Sequence, residues 1–334
     1  MQRRRYSPND IKTDKYRQNE NREKKYKARI KILVKALTPE VFAEKVAAEW
    51  AHTKDGPATL TQQELDRVAG HFSAPAYEQF SGDDADYLAK REAEKGFNNW
   101  ALRNVHAHKV PGYAAVTLSL KPTAVAPGDA DDKQLDAIAD LADQFSFGEL
   151  RVTHQQNLVL ADVRQSDLYA LWQACRKHGF ATPNIGLLTD IICCPGGDFC
   201  ALANAKSIPI AEAIQRTFDD LDYLHDIGDL DLNISGCMNA CGHHHIGNIG
   251  ILGVDKNGSE WYQLTIGGAQ GKHSALGKVI GPAFSAEDVP EVIATLAEVY
   301  REQRQGAERF VDTVERIGLA PFKARVYPAQ EARA

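Results

Sequence analysis

Two cysteine pairs constrain this chain more than any other feature. Cys194 and Cys200 bracket five residues in "CPGGDFC", and Cys237 and Cys241 bracket three in "CMNAC". Each pair is flanked by glycine: Gly196 and Gly197 in the first, Gly236 and Gly242 around the second. Four thiolates from two loops suit a zinc ion or an iron–sulfur cube. Structural zinc ribbons favour tight C-x2-C knuckles, and neither pair is one. A cube spreads its thiolates over corners wider than the shell of a single ion. Glycines let backbone N–H groups reach sulfide and thiolate, which stabilises their charge. The pattern therefore favours a cluster. Cys193 is left out, because its side chain points away from that of its neighbour Cys194. Cys200 precedes "ALANA", which reads as a helix start whose dipole would favour thiolate. Three consecutive histidines, His243, His244 and His245, cannot all face one ion, and no role is assigned to them. His106, His108, His154 and His225 read as ordinary core or surface residues.

Nothing suggests secretion. The N-terminus is basic with no apolar segment behind it, and the longest apolar runs are too short to cross a bilayer. The expectation is a cytoplasmic protein without a membrane partner, whose cysteines serve metal or catalysis rather than disulfides. An apolar fraction of 43% and 334 residues suit a globular chain with room for two domains. Residues 1–36 hold 13 Lys and Arg against 4 Asp and Glu, whereas the whole chain holds 39 against 45. A basic arm could bind nucleic acid, but Ile30, Leu33 and Leu37 recur at helical spacing. A helix with one buried stripe and a solvated basic face is the preferred reading.

Further elements follow from periodicity. Residues 20–50 read as one or two helices, a helix starts near 62 behind the capping box Thr61–Glu64, and 76–95 reads as helical. "YAAVTLSLK" alternates Val116, Leu118 and Leu120 against Thr117 and Ser119, predicting a half-buried strand. Leu135, Ile138, Ala142 and Phe145 fall on one helical face. "ELRVTH" and "NLVLADV" are short strands, and Ser166 and Gly179 bound the helix carrying Cys175, read as a buried structural thiol. The order β-α-β-β-α predicts helices over one face of an antiparallel sheet. Beyond it, a helix over about 209–221 separates the cysteine groups. Strands are expected at 231–235, 249–254 and 261–268, then a helix from Ser285 to about 304 and another over 308–318.

"CPGGDFC … SGCMNACGHHHIGNIGILG" resembles the sirohaem and 4Fe–4S signature of the assimilatory nitrite and sulfite reductases, and "RVTHQQNLVLADV" is similar to that family's R-x-T-x-x-Q-N strand pair. The resemblance implies an α+β chain: an N-terminal helical arm (1–96), a ferredoxin-like half-domain (97–183) and an α/β sirohaem and 4Fe–4S domain (184–334). It implies that Cys194, Cys200, Cys237 and Cys241 ligate the cluster, and that Cys241 is also the axial ligand of sirohaem. Arg151, Thr153, Gln156 and Asn157 would contact the macrocycle, and Asn239 would order the cysteine loop. The implied reaction is multi-electron reduction of sulfite to sulfide or nitrite to ammonia, with a ferredoxin or flavoprotein reductase as donor. "REKKYKARIKILV" resembles the family's helix between two similar halves. This chain carries one such half, so most of the first half, with its anion-gripping Arg and Lys, would come from elsewhere, such as a separate chain. Lys272 and Lys278 read as solvated surface lysines. Two other readings stand beside this one: a non-catalytic iron–sulfur electron-transfer or assembly protein, and a zinc protein with a nucleic-acid-binding arm.

Overall fold

The computed structural model describes residues 30–57 and 59–328. They fall into two compact units divided between Ala76 and Tyr77. The first holds helices α1 (Ile30–Leu37), α2 (Pro39–Thr53) and α3 (Gln62–Ala69). Thr61 caps α3 by accepting from the Glu64 N–H at 3.3 Å, so the helix starts where the sequence predicts. The stripe expected on α1 is only half-buried: Leu33 and Leu37 are partly covered and Ile30 is exposed. Residues 22–29 of the predicted basic helix lie outside the described residues.

The second unit contains two sheets with separate cores. Helices α4 (Ala85–Ala93) and α5 (Lys95–Asn104) lead into β1 (Val105–Ala107) and β2 (Tyr113–Leu118). Then come α6 (Asp132–Phe145), β3 (Leu150–Val152), β4 (Leu158–Arg164) and α7 (Leu168–His178). The sheet runs β1-β2-β4-β3, antiparallel throughout. Phe97, Trp100, Ile138, Leu171 and Trp172 from the helices share one core with Val116, Leu118 and Leu160.

Several expectations shift here. Residues 76–84 are not helical, and helix begins only at Ala85, capped by Asp84. Ser166 does not cap α7; it lies in a short 3-10 turn before it, while Gly179 ends the helix in the left-handed conformation, φ 82°. Leu135 is exposed, and Leu141 occupies the buried face of α6 instead. Most consequentially, Thr117 and Ser119 are buried along with Val116 and Leu118. The polar face of this strand meets protein, not water.

The second sheet comprises β5 (Ile192–Cys193), β6 (Leu232–Ser235), β7 (Ile249–Lys256), β8 (Ser259–Ile266) and β9 (Lys278–Val279). Its order is β5-β6-β7-β8-β9; the first three strands are parallel and the rest antiparallel. Asn257 and Gly258, both at positive φ, turn β7 into β8. The short helix α8 (Gly196–Phe199) follows β5, and α9 (Ile208–Thr217) and α10 (Leu221–Ile227) connect onward to β6. Asp220 caps α10 and breaks the single helix expected there. Helices α11 (Val289–Gln303), α12 (Phe310–Ile317) and α13 (Ala320–Val326) close the layer. α11 starts later than expected, because the Ser285 hydroxyl donates to Asp288 at 2.7 Å and Pro290 occupies the first turn. Leu296, Phe310 and Phe322 pack with Ile234, Ile251 and Leu264.

Candidate metal centre

Both cysteine pairs leave the carboxyl ends of neighbouring parallel strands. Cys193 in β5 pairs with Ile234 in β6, so Cys194 and Gly236 emerge side by side. The Cys194 N–H donates to the Ile234 carbonyl at 3.1 Å, carrying the pairing one residue further. The Gly236 N–H then donates to the Cys194 sulfur at 3.0 Å, and the Ser207 hydroxyl lies 3.5 Å from the same sulfur. Both contacts place a polar group of a neighbouring chain segment on this sulfur. The Asn204 and Ala205 N–H groups donate to the Gly236 carbonyl at 2.8 and 3.1 Å, and Gly197 N–H donates to Ala205 at 2.9 Å. Two loops distant in sequence are thus stitched through the backbone.

Glycine is required for this approach. A Cβ on Gly236 would sit 2.6 Å from the Ala205 oxygen and 2.8 Å from the Gly196 Cα. One on Gly242 would fall 1.9 Å from the Ile234 carbonyl. Burial grades the four thiols: Cys237 is buried, Cys194 and Cys200 are half-buried, and Cys241 is exposed. Residues 201–205 form turns rather than the expected helix, and Cys200 instead ends α8, its N–H donating to Gly196 at 2.9 Å. No helix N-terminus follows Cys200, so the dipole argument made from "ALANA" does not apply. Asn239 is half-buried in the turn closed by the Ala240 N–H on the Cys237 carbonyl, 3.1 Å.

Burial pushes the Cys193 thiol up, with the neighbouring Cys194 adding to the effect. Burial likewise pushes Cys175 up to about 12. The histidine triplet alternates: His243 and His245 are exposed and His244 is buried. Its backbone helps fix the loop, since Asn233 donates to the His243 carbonyl at 3.2 Å and the Gly277 N–H to that of His245 at 2.8 Å. Among the described residues, no three His, Cys, Asp or Glu side chains gather as around a single ion.

The R-x-T-x-x-Q-N residues divide. Arg151 is exposed on β3 and bonded to Glu149 at 2.5 Å. Thr153 closes the β3–β4 turn, its hydroxyl donating to the Asn157 carbonyl at 3.0 Å and accepting from the Asn157 N–H at 3.1 Å. Gln156 donates to the Cys193 carbonyl at 2.8 Å and accepts from the Cys193 N–H at 2.8 Å. Asn157 accepts from the Leu120 N–H at 3.1 Å and donates to Asp190 at 2.9 Å.

Sequence reasoning missed the partner of this arrangement. Lys121, with no exposed side-chain surface, donates to Asp190 at 2.7 Å and to the Gln155 carbonyl at 2.5 Å. Asp190 also accepts from the Gly186 N–H at 3.0 Å. Burial pushes the Lys121 ammonium down and the Asp190 carboxylate opposes that. A lysine continuing the alternation Thr117, Ser119, Lys121 was the available signal. Lys272 and Lys278 are exposed, as expected; with Arg103, Asp231, Gln270 and Arg309 they line a cavity of about 1240 Å³ that none of the cysteines borders.

Two family profiles match. "Nitrite/Sulfite reductase ferredoxin-like half domain" covers residues 99–178, and "Nitrite and sulphite reductase 4Fe-4S domain" covers residues 187–332. The chain is 29% identical over 214 residues to the chloroplastic ferredoxin–nitrite reductase of Betula pendula, a match over 61% of this chain and 35% of that protein. It is 23% identical over 197 residues to the assimilatory-type sulfite reductase of Nitratidesulfovibrio vulgaris, covering 58% of this chain and 84% of that one. The Mycobacterium tuberculosis NirA structure superposes with a TM-score of 0.62 at 21% identity, over 94% of this chain and 52% of that chain. The chain thus spans about a third of the birch enzyme's length and about half of the NirA structure's. Carrying the family's ferredoxin-like half domain on one sheet and its 4Fe–4S domain on the other, the chain belongs to the nitrite and sulfite reductase family.

Proposed function

We propose that this chain holds a 4Fe–4S cluster through Cys194, Cys200, Cys237 and Cys241, with Cys241 also serving sirohaem, and that it reduces sulfite to sulfide or nitrite to ammonia. One observation carries the reading: adjacent parallel strands deliver both cysteine loops to one place, with a backbone N–H already on the Cys194 sulfur. The donor set fits the cluster, because four thiols with glycine backbone around them match its thiolate ligation. Cys241, the exposed thiol of the four, suits a sulfur shared with a second group on its outer side. When bound, cluster and macrocycle supply the single-electron chemistry that such a reduction requires.

The chain's own residues bind and orient. Gly236 and Ser207 steady the Cys194 thiolate, and Arg151 offers an exposed guanidinium to a sirohaem carboxylate. Thr153, Gln156 and Asn157 serve the macrocycle by setting the hairpin that carries Arg151, and Asn239 orders the second cysteine turn. Residues 97–183 act as the ferredoxin-like part, 184–334 as the cofactor-binding part and 1–96 as the connecting arm. The donor is a ferredoxin or a flavoprotein, in a cytoplasmic setting. Anion-gripping cations come from a companion half, in the same or another chain. Anaerobic reconstitution with iron, sulfide and sirohaem tests the proposal. Cluster absorption with haem bands perturbed by the cluster is expected, and Cys241→Ser abolishes that perturbation. A chain that takes up zinc but no cluster, or haem bands identical in Cys241→Ser, refutes it.

A further inference from the structure

β5 is an edge strand, so among the described residues the outward N–H and C=O of Cys193 have no neighbouring strand to pair with. The Gln156 carboxamide satisfies both, donating to the carbonyl and accepting from the N–H, each at 2.8 Å. One side chain thus replaces a strand. Gln156 is held for this task. Its backbone sits at φ 60° in the turn where Gln156 N–H donates to the Thr153 carbonyl at 3.2 Å. Gly128 packs so closely that a Cβ there would fall 2.8 Å from the Gln156 Cβ. The buried Lys121–Asp190 pair anchors the chain just before β5.

We infer that Gln156 is a positioning residue for the first cysteine pair, acting through the Cys193 backbone to hold the Cys194 sulfur against the Gly236 N–H. The residue after the clasped one is Cys194, whose own N–H is bonded across to Ile234. Releasing the clasp frees the edge strand to fray, and the fraying takes Cys194 away from Gly236. Gln156 therefore serves the centre from inside the protein, with both ends of its amide spent on backbone.

Only the cluster arm of the test rests on the proposed function; the apoprotein arm does not. In apoprotein, Gln156→Met keeps the side-chain length but makes neither bond. Alkylation of Cys194, followed by mass spectrometry, should accelerate about thirtyfold, the factor that corresponds to the loss of two bonds of roughly 1 kcal/mol each. Cys175 stays protected. Gln156→Glu still accepts from the Cys193 N–H but no longer donates, and should fall between Met and parent. Leu160→Ala, in the core of the first sheet, lowers the urea midpoint without singling out Cys194. In reconstituted protein, Gln156→Met should shift the cluster's midpoint potential and its electron paramagnetic resonance signature. An unchanged Cys194 rate in Gln156→Met, or acceleration shared by all six cysteines, overturns the inference even if no cluster can be loaded.

Discussion

Replacing Lys121 with methionine tests the polar layer behind the cysteine loops. The side chain is fully enclosed, and its ammonium reaches Asp190 at 2.7 Å, the Asp190 carbonyl at 3.3 Å and the Gln155 carbonyl at 2.5 Å. Methionine fills similar space but leaves Asp190, itself 6% exposed in its side chain, with the Asn157 amide and the Gly186 N–H as its remaining donors among the described residues. Breaking a buried pair from one side costs about 3–5 kcal/mol, most of it the penalty of the abandoned charge. Lys121→Met/Asp190→Asn removes both charges and should recover at least about 1 kcal/mol of that loss. Urea unfolding of the apoprotein, followed by fluorescence of Trp100 and Trp172 in the adjoining core, measures both values. A single-variant loss under about 1 kcal/mol, or a double variant no better than the single, refutes the claim that the pair is a buried, mutually dependent unit.

Gly236→Ala should cost about 1–3 kcal/mol in urea unfolding by forcing the two cysteine loops apart, and should reduce cluster uptake on reconstitution. In folded apoprotein, iodoacetamide should label the exposed Cys241 first, while Cys175, pushed up to about 12 by burial, stays unlabelled until the chain unfolds. The Arg316 guanidinium holds Glu308 down at about 2, from an ordinary 4.5. A depressed carboxyl stabilises the fold above its ordinary pKa, and that contribution drains away as pH falls from 4.5 towards 2. Glu308→Gln should therefore flatten the acid limb of stability against pH.

Where local chemistry decides, the sequence was readable. The strands expected at 231–235, 249–254 and 261–268 form at 232–235, 249–256 and 259–266, and Thr61 and Gly179 act at helix ends as predicted, one through its hydroxyl and the other through its left-handed backbone. The cysteine pairs stand out in the sequence because thiol spacing is legible without knowledge of the fold. What failed depended on partners distant in sequence. Thr117 and Ser119 looked solvent-facing, yet both are buried, and the Ser119 hydroxyl donates to Asn184 at 2.8 Å. "ALANA" has good helix propensity, but the backbone bonds of Asn204 and Ala205 go to Gly236 instead. Ile30 and Leu135 fit helical stripes but face solvent. In the R-x-T-x-x-Q-N segment, spacing gave the residue types; the inward turn of Gln156 and Asn157 follows from contacts with Cys193 and Asp190, which no local rule supplies.

The parallel pairing of β5 with β6 also sets an order of events during biogenesis. Parallel neighbours cannot be joined by a tight turn, and here α8, α9 and α10 lie between them. Such non-local pairings close late, because the entropy of the intervening loop must be overcome first. A nascent chain therefore displays two separate dithiols, each able to capture a stray metal ion or oxidise within itself, before β5 and β6 bring the two cysteine loops together. Iron and sulfide delivered after β5 and β6 have joined should give higher cluster occupancy than the same dose supplied to unfolded chain during refolding, and equal occupancy would argue against a folding checkpoint on metal loading.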